Sequence, residues 1–374
     1  MIKKLSAVLV AILICAMILA PATAFADNAY IAVTGGTMTF NKYLAVANDA
    51  TIPAASFSFT IGAGDAVSGT TVVAGLSPTA VTVGTATFTA NQATTAGAAT
   101  DGIVNSTDKK YATQSVTVDF SDVSFTEPGI YRYILTEEAS TATNITNDSV
   151  ATRTIDVYVQ NTVSGLSVGP YVMYSGTQTN APAEDTPENP DPTKSNQFVN
   201  EAASQNLTFS KTVSGNQASK DKYFKFTVTI EGAGAGTVVN VDMSGAKTAP
   251  AKSDATTYTE EDMAAANTIT GNTLTADADG KIEHDFYLAH GDSVVIKGLP
   301  KGCTYKVAEV NEDYTNENAT QSGTVADAAV SLTFTNTRGG VVPTGVMLTV
   351  VPGVVIVGIA LFGLIVLKRK KNKA

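Results

Sequence analysis

Met38-Thr39-Phe40-Asn41-Lys42 and Leu207-Thr208-Phe209-Ser210-Lys211 read as two copies of one strand. Apolar residues alternate with polar ones in both, the period of a half-buried β-strand. In both, the lysine falls in phase with the apolar positions. Lys42 shares a face with Phe40 and Leu44, and Lys211 with Leu207, Phe209 and Val213. A lysine on the core face of a strand is the anomaly from which the reading starts, because a buried charge is costly unless paired or neutralised.

Two further segments repeat in the same order. Tyr133-Ile134-Leu135-Thr136-Glu137 matches Tyr305-Lys306-Val307-Ala308-Glu309, and Gln197-Phe198-Val199-Asn200 matches Thr333-Phe334-Thr335-Asn336. Glu137 lies in phase with Tyr131, Tyr133 and Leu135; Glu309 with Tyr305 and Val307. Asn200 lies with Phe198, and Asn336 with Leu332 and Phe334. The lysine-to-glutamate gaps are 95 and 98 residues, whereas the glutamate-to-asparagine gap shrinks from 63 to 27. The stretch missing from the second copy includes strand-like Arg153 to Val159 and a proline-rich loop, Ala181 to Pro192. Short alternating runs rich in Thr, Val, Ala and Gly imply an all-β protein. The repeat divides it into two tandem domains, placed at residues 27–202 and 203–338.

Each domain therefore aims a lysine, a carboxylic acid and an amide at its core. One reading is a buried ion pair with a hydrogen-bonded asparagine. The other is a self-formed isopeptide bond from lysine Nζ to asparagine Cγ. Desolvation lowers a lysine pKa and raises a glutamate pKa. A neutral lysine amine is a nucleophile. A protonated glutamate can donate to the amide oxygen and then shuttle protons as ammonia leaves. Holding amine and amide together makes the reaction intramolecular.

The two ends of the chain predict export and anchoring. Lys3 and Lys4 precede a largely apolar run, Leu5 to Ala20, followed by Ala24-Phe25-Ala26, the pattern of a secretory signal peptide over residues 1–26. Cys15 follows Ile14, where a lipidation signal needs a small residue, so lipidation is rejected. At the other end, Val341-Val342-Pro343-Thr344-Gly345 precedes an uncharged, mostly apolar span, Val346 to Leu367, and a basic tail, Lys368 to Lys373. The span is long enough to cross a bilayer, with the basic end on the cytoplasmic side. The alternative is an ordinary single-pass protein in which the Pro-Thr-Gly occurs by chance. Residues 339–374 resemble the cell-wall sorting signal of Gram-positive surface proteins, in the VPTG variant common among pilins. That resemblance implies cleavage by a sortase between Thr344 and Gly345, transfer of the Thr344 carbonyl to an amine, and only transient membrane anchoring.

Within 27–344 there are 17 basic against 34 acidic residues, a net charge of −17. Such a surface repels nucleic acid and anionic lipid. Only Cys303 lies in this span, so no intrachain disulfide can staple it, and another cross-link is expected of an extracellular protein. No cofactor or metal site is readable. Asp277-Ala278-Asp279-Gly280 lacks the later glutamate of a calcium loop and is expected to be a hairpin turn. His284 and His290 have no neighbouring ligand set, and no catalytic constellation of a surface enzyme is present.

The chain resembles the isopeptide-linked shaft pilins of streptococcal type over nearly all of 27–344. The likeness is strongest at Asp119-Phe120-Ser121-Asp122-Val123-Ser124-Phe125, at Pro128-Gly129-Ile130-Tyr131-Arg132-Tyr133, and from Gln197 to Gly215. It implies two immunoglobulin-like β-sandwich domains, each with one Lys–Asn bond assisted by a glutamate: Lys42, Glu137 and Asn200, then Lys211, Glu309 and Asn336. It implies a structural subunit, not an enzyme, whose partners are a pilin-type sortase, identical subunits, tip or basal pilins, and peptidoglycan. A monomeric wall-anchored adhesin is the alternative. Polymerisation also needs an exposed amine to receive Thr344. Lys194 is the candidate: it follows the proline-rich Asn189-Pro190-Asp191-Pro192-Thr193, lies six residues before Asn200, and is the only lysine between Lys110 and Lys211. Lys109 and Lys110 are the fallback.

Overall fold

The computed structural model describes residues 31–182, 193–246, 258 and 260–341. The export segment 1–26, Thr344, Gly345, the apolar span and most of the proline-rich loop lie outside the described residues.

Two β-sandwiches follow one another, as the alternating pattern requires. In the first, one sheet runs Ile145–Thr146, Gln197–Ala202, Thr37–Ala47, Lys109–Asp119, Thr82–Val83. The facing sheet runs Gly165–Ser175, Thr152–Thr162, Gly129–Glu137, Phe59–Ala63. The second sandwich repeats the plan. Thr273–Thr275, Val238–Asp242, Ser293–Pro300, Ser204–Ser214 and Val330–Thr337 form one sheet; Ile282–Leu288, Phe224–Glu231, Thr304–Glu309 and Thr320–Thr324 form the other. Strand-like Arg153 to Val159 is not missing from the second copy: Thr320–Thr324 pairs with the Glu309 strand as Thr152–Thr162 pairs with the Glu137 strand, and the strand without a counterpart is Gly165–Ser175, added beyond Thr152–Thr162.

Each interior is an aromatic lock between sheets. Phe40 of the first sheet meets Phe59 of the second edge-on, with ring centroids 4.9 Å apart, and Phe198 meets Phe59 at 5.3 Å. In the second domain Phe209 meets Phe226 at 5.8 Å, and Phe226 meets Phe334 at 5.2 Å. All of these rings are buried. Such pairs add about 0.5–1.5 kcal/mol each beyond the area they remove from water.

The pairing that positions the site is parallel. Thr37–Ala47 runs alongside Gln197–Ala202, with Lys42 opposite Phe198 and Leu44 opposite Asn200. Ser204–Ser214 runs alongside Val330–Thr337, with Lys211 opposite Phe334 and Val213 opposite Asn336. The register is the same in both domains: the asparagine sits two residues beyond the residue opposite the lysine. Two residues is the pleat period, so lysine and asparagine project on one face as diagonal neighbours.

Asp277–Gly280 is a turn, closed by a bond from the Gly280 N–H to Asp277 O. It is not the hairpin that the sequence suggested. The preceding strand, Thr273–Thr275, pairs with Val238–Asp242, whereas the following one, Ile282–Leu288, pairs with Phe224–Glu231 in the facing sheet. The chain crosses between sheets here, so the turn joins two strands that never pair.

The domains are joined almost without slack. Gln197–Ala202 ends one residue before Ser204–Ser214 begins. Ala203 spans the gap, its N–H bonded to Asn144 O and its carbonyl accepting from the Lys301 N–H. Across the junction Asp49 accepts from Asn206 Nδ2 at 3.0 Å and, through its carbonyl, from Asn240 Nδ2 at 2.8 Å. Thr51 Oγ1 donates to Val238 O at 2.6 Å. Gly298 lies against this contact with φ +78°, and a Cβ there would come within 2.6 Å of Ala50 Cα and 2.7 Å of Asp49 O. Gly298→Ala is therefore expected to strain the junction by about 1–3 kcal/mol while leaving both cores packed. Solution scattering should show a larger radius of gyration with an unchanged circular dichroism spectrum; an unchanged radius would mean that these contacts do not hold the domains together.

Candidate functional site

Each sandwich buries one lysine, one glutamate and one asparagine in contact. Lys42 and Asn200 come from adjacent strands of one sheet, and Glu137 from the sheet opposite. Lys42 Nζ lies 2.5 Å from Glu137 Oε1, and Asn200 Nδ2 donates to the same oxygen at 3.0 Å. In the second domain Lys211 Nζ lies 2.6 Å from Glu309 Oε1, and Asn336 Nδ2 donates to that oxygen at 2.9 Å. Side chains separated by 95–98 and 27–63 residues in sequence thus converge on a single carboxylate oxygen, twice. Aromatic faces close the sites: the Phe57 ring lies 4.7 Å from Lys42 Nζ and the Phe224 ring 4.4 Å from Lys211 Nζ.

Burial controls the protonation states. Desolvation lowers Lys42 to about 8 against the pull of Glu137, and lowers Lys211 to about 8 against Glu309. Desolvation likewise raises both glutamates, opposed by their lysines. Amine and carboxylate are driven toward their neutral forms, which makes the amine nucleophilic and leaves the carboxyl a proton to give.

The geometry assigns the carboxyl a different face of the amide from the one expected. Each glutamate meets the amide nitrogen, not the oxygen. The surroundings of the two amides also differ. Asn200 Oδ1 accepts from the Asp148 backbone N–H at 2.7 Å, whereas Glu137 Oε2 has no hydrogen-bond partner among the described residues. In the second domain Asn336 Oδ1 has no such partner, and Glu309 Oε2 accepts from Asn316 Nδ2 at 2.7 Å.

Asp148, Arg153 and Asn316 escaped the sequence reading because they lie off the repeated strand segments or have no counterpart in the other copy. Arg153 Nη2 pairs with Asp148 Oδ2 at 2.9 Å, and its guanidinium stacks 4.2 Å over the Phe198 ring. A second buried pair, Arg132 with Asp156, was also missed. It is bidentate at 2.8 Å, and Arg132 Nη1 donates to the carbonyls of Gln178 and Asn180 at the start of the proline-rich loop. Alternation put Tyr131 and Tyr133 inside; Arg132, between them, is buried on the opposite face against the segment carrying Gln178 and Asn180.

Lys194 has an exposed side chain on a fixed backbone. It forms an antiparallel bridge with Tyr174, flanked by bonds from Ser175 N–H to Thr193 O and from Ser195 N–H to Met173 O. Lys109 is half-buried and pairs with Glu201 at 2.6 Å; Lys110 is half-buried too. His284 Nε2 contacts Ala266 O at 2.8 Å, and His290 Nδ1 accepts from the Val213 N–H at 3.0 Å. Among the described residues no three metal-ligating side chains cluster.

The shifted pKa values give a pH signature. Asn200→Ala leaves Lys42 an amine. Its lowered pKa contributes stability that is present above 10.5 and lost as pH falls through about 8. The raised pKa of Glu137 contributes stability that is present below 4.5 and lost as pH rises through its folded value. Asn200→Ala should therefore gain stability as pH rises from 8 to 10.5, measured by chemical denaturation, and adding Lys42→Met should abolish that gain. A gain that survives the lysine's removal would mean that another group is responsible.

Comparison with known proteins bears on the same residues. Residues 38–203 match the family described as the Spy0128-like isopeptide containing domain, and residues 205–338 match a domain of unknown function, DUF7601. A curated Streptococcus pyogenes serotype M1 protein described as a pilin is 26% identical over 283 residues, covering 70% of this chain and 73% of its own length. The crystal structure of the major pilin from Streptococcus pyogenes superposes with a TM-score of 0.53 at 23% identity, covering 82% of this chain and all of that one. The T-13 major pilin of the same species gives 0.51 at 22% identity, covering 82% and 98%. Residues 38–203 thus match the Spy0128-like isopeptide containing domain, and the chain is similar to a streptococcal pilin in sequence and to the streptococcal major pilins in fold.

Proposed function

We propose that this chain is the repeating structural subunit of a covalently polymerised pilus on a Gram-positive cell surface, with each domain locked by a self-formed lysine–asparagine bond. One observation carries the reading: two buried Lys/Glu/Asn sets in one register, each meeting at a single carboxylate oxygen. The likeness to streptococcal pilins supports it and favours a shaft subunit over a monomeric adhesin.

The chemistry follows from the contacts. The neutral lysine amine attacks asparagine Cγ, forming the Nζ–Cγ bond. The glutamate, touching both nitrogens, takes a proton from the amine and gives one to the amide nitrogen. The Cγ–Nδ2 bond breaks and ammonia leaves. The bonds close loops of 159 residues from Lys42 to Asn200 and 126 from Lys211 to Asn336. Treated as cross-links on the unfolded chain, each stabilises by about 5 kcal/mol.

Assembly rests on the ends of the chain. An export signal at 1–26 and a sorting signal at 339–374 would deliver it to a pilin-type sortase, which would cut between Thr344 and Gly345 and pass Thr344 to Lys194 of the next subunit. The last acceptor would be peptidoglycan, and tip or basal pilins would join the same chain. Lys194 suits the role because its backbone is fixed by the bridge to Tyr174 while the residue lies at the surface.

Mass spectrometry tests the bonds. The folded chain should be lighter than its sequence by two ammonia molecules. Glu137→Ala should restore only the first-domain loss and Glu309→Ala only the second. An unshifted wild-type mass would reduce both sites to ion pairs. Assembly is read from wall extracts boiled in detergent. Wild type should give a ladder of sizes and Lys194→Ala a single band; a ladder that persists would transfer the role to another lysine.

A further inference from the structure

The two sites share three side chains but not their surroundings, and the difference falls on the amide oxygen. When an amine adds to an amide, negative charge develops on that oxygen. A fixed N–H pointed at it lowers the barrier because no reorganisation is needed as the charge appears. Asn200 Oδ1 has such a donor, the backbone N–H of Asp148 at 2.7 Å, inside the 2.7–3.1 Å range of known oxyanion holes. Among the described residues Asn336 Oδ1 has none, although it is fully buried.

The donor is held from three sides. Asp148 Oδ2 accepts from the Val199 N–H at 2.8 Å and from Arg153 Nη2 at 2.9 Å, while Asp148 Oδ1 accepts from the Val150 N–H at 2.8 Å. Val199 immediately precedes Asn200, so the carboxylate ties its own loop to the strand carrying the reacting amide. Arg153 is fixed in turn by bonds to Gln197 O and by stacking on Phe198.

We propose that the Asp148 backbone N–H is the oxyanion donor for closure of the first-domain bond, and that the Asp148 carboxylate, held by Val199 and Arg153, positions it. The step stays balanced: Lys42 Nζ bonds to Cγ, the displaced electron pair rests on Asn200 Oδ1 against this N–H, and it returns as Cγ–Nδ2 breaks and ammonia leaves with the proton relayed by Glu137. Asp148 is then catalytic through its main chain, and Arg153 is a positioning residue. The inference rests on the isopeptide reading above.

The test follows bond closure in full-length chain made by cell-free translation, quantifying the branched Lys42–Asn200 and Lys211–Asn336 peptides over time by mass spectrometry. Placing an α-hydroxy acid at position 148 turns that amide into an ester, deleting the N–H while keeping the aspartate side chain. Closure of the first bond should slow by about 10²-fold, with the second bond, in the same molecules, unchanged. Asp148→Ala should slow the first bond by about 10-fold by loosening the donor. Asp148→Asn, which can still accept from the Val199 N–H, should restore most of the rate. The ester changes no side chain, so it decides the matter if Asp148→Ala fails to fold. First-bond closure at wild-type rate in the ester overturns the proposal and leaves the isopeptide reading intact. Absence of both branched peptides from the wild type removes that reading, and the proposal with it.

Discussion

The structure turns on the cost of placing an amine and a carboxyl where water cannot reach them. Desolvation pushes both Lys42 and Lys211 to about 8 and raises both glutamates, although each has an opposite charge beside it. A buried ion pair often contributes little net stability and is strongly destabilising when one partner is lost. That penalty makes the arrangement reactive, because the state that best relieves it is neutral amine beside neutral acid. Condensation with asparagine removes the amine's titration altogether. The aromatic rings over each Nζ keep the penalty in place by excluding water.

Much of this was legible in the sequence because strand alternation is a strict code. Once Phe40 and Leu44 are inside, Lys42 must be too, and the same logic buries Glu137, Asn200 and their second-domain equivalents. Internal repetition then turned three ordinary residue types into a pattern. Residues whose placement depends on tertiary wrapping stayed hidden. Arg132 alternates with two buried tyrosines and should face solvent, but it is buried against the segment carrying Gln178 and Asn180. Asp148 acts through its main chain, and no side-chain pattern announces a backbone N–H. The turn at Asp277 kept its local chemistry, whereas the sheet each flanking strand joins depends on long-range pairing.

The two copies show one chemistry settled in two environments. In the first domain the amide oxygen is held and the second glutamate oxygen has no partner; in the second domain the reverse holds. Asn316 stabilises the charged form of Glu309, while Asp148 polarises Asn200. In the first domain the strand beside the Glu137 strand, Thr152–Thr162, supplies Arg153 next to the loop that supplies Asp148. The longer gap between Glu137 and Asn200 thus contains the groups that make the first site distinct.

The one-residue joint at Ala203 has a mechanical consequence. In a fibre whose domains are closed by bonds between their first and last strands, neither sandwich has stored length to release. Bending compliance then concentrates where the domains meet, at Asp49, Asn206, Asn240 and Gly298, and where one subunit follows the next. Persistence length would be set by a few surface hydrogen bonds, not by the strength of the cores. Such a fibre could be made stiffer or more supple by single substitutions at the joint, leaving its resistance to stretching untouched.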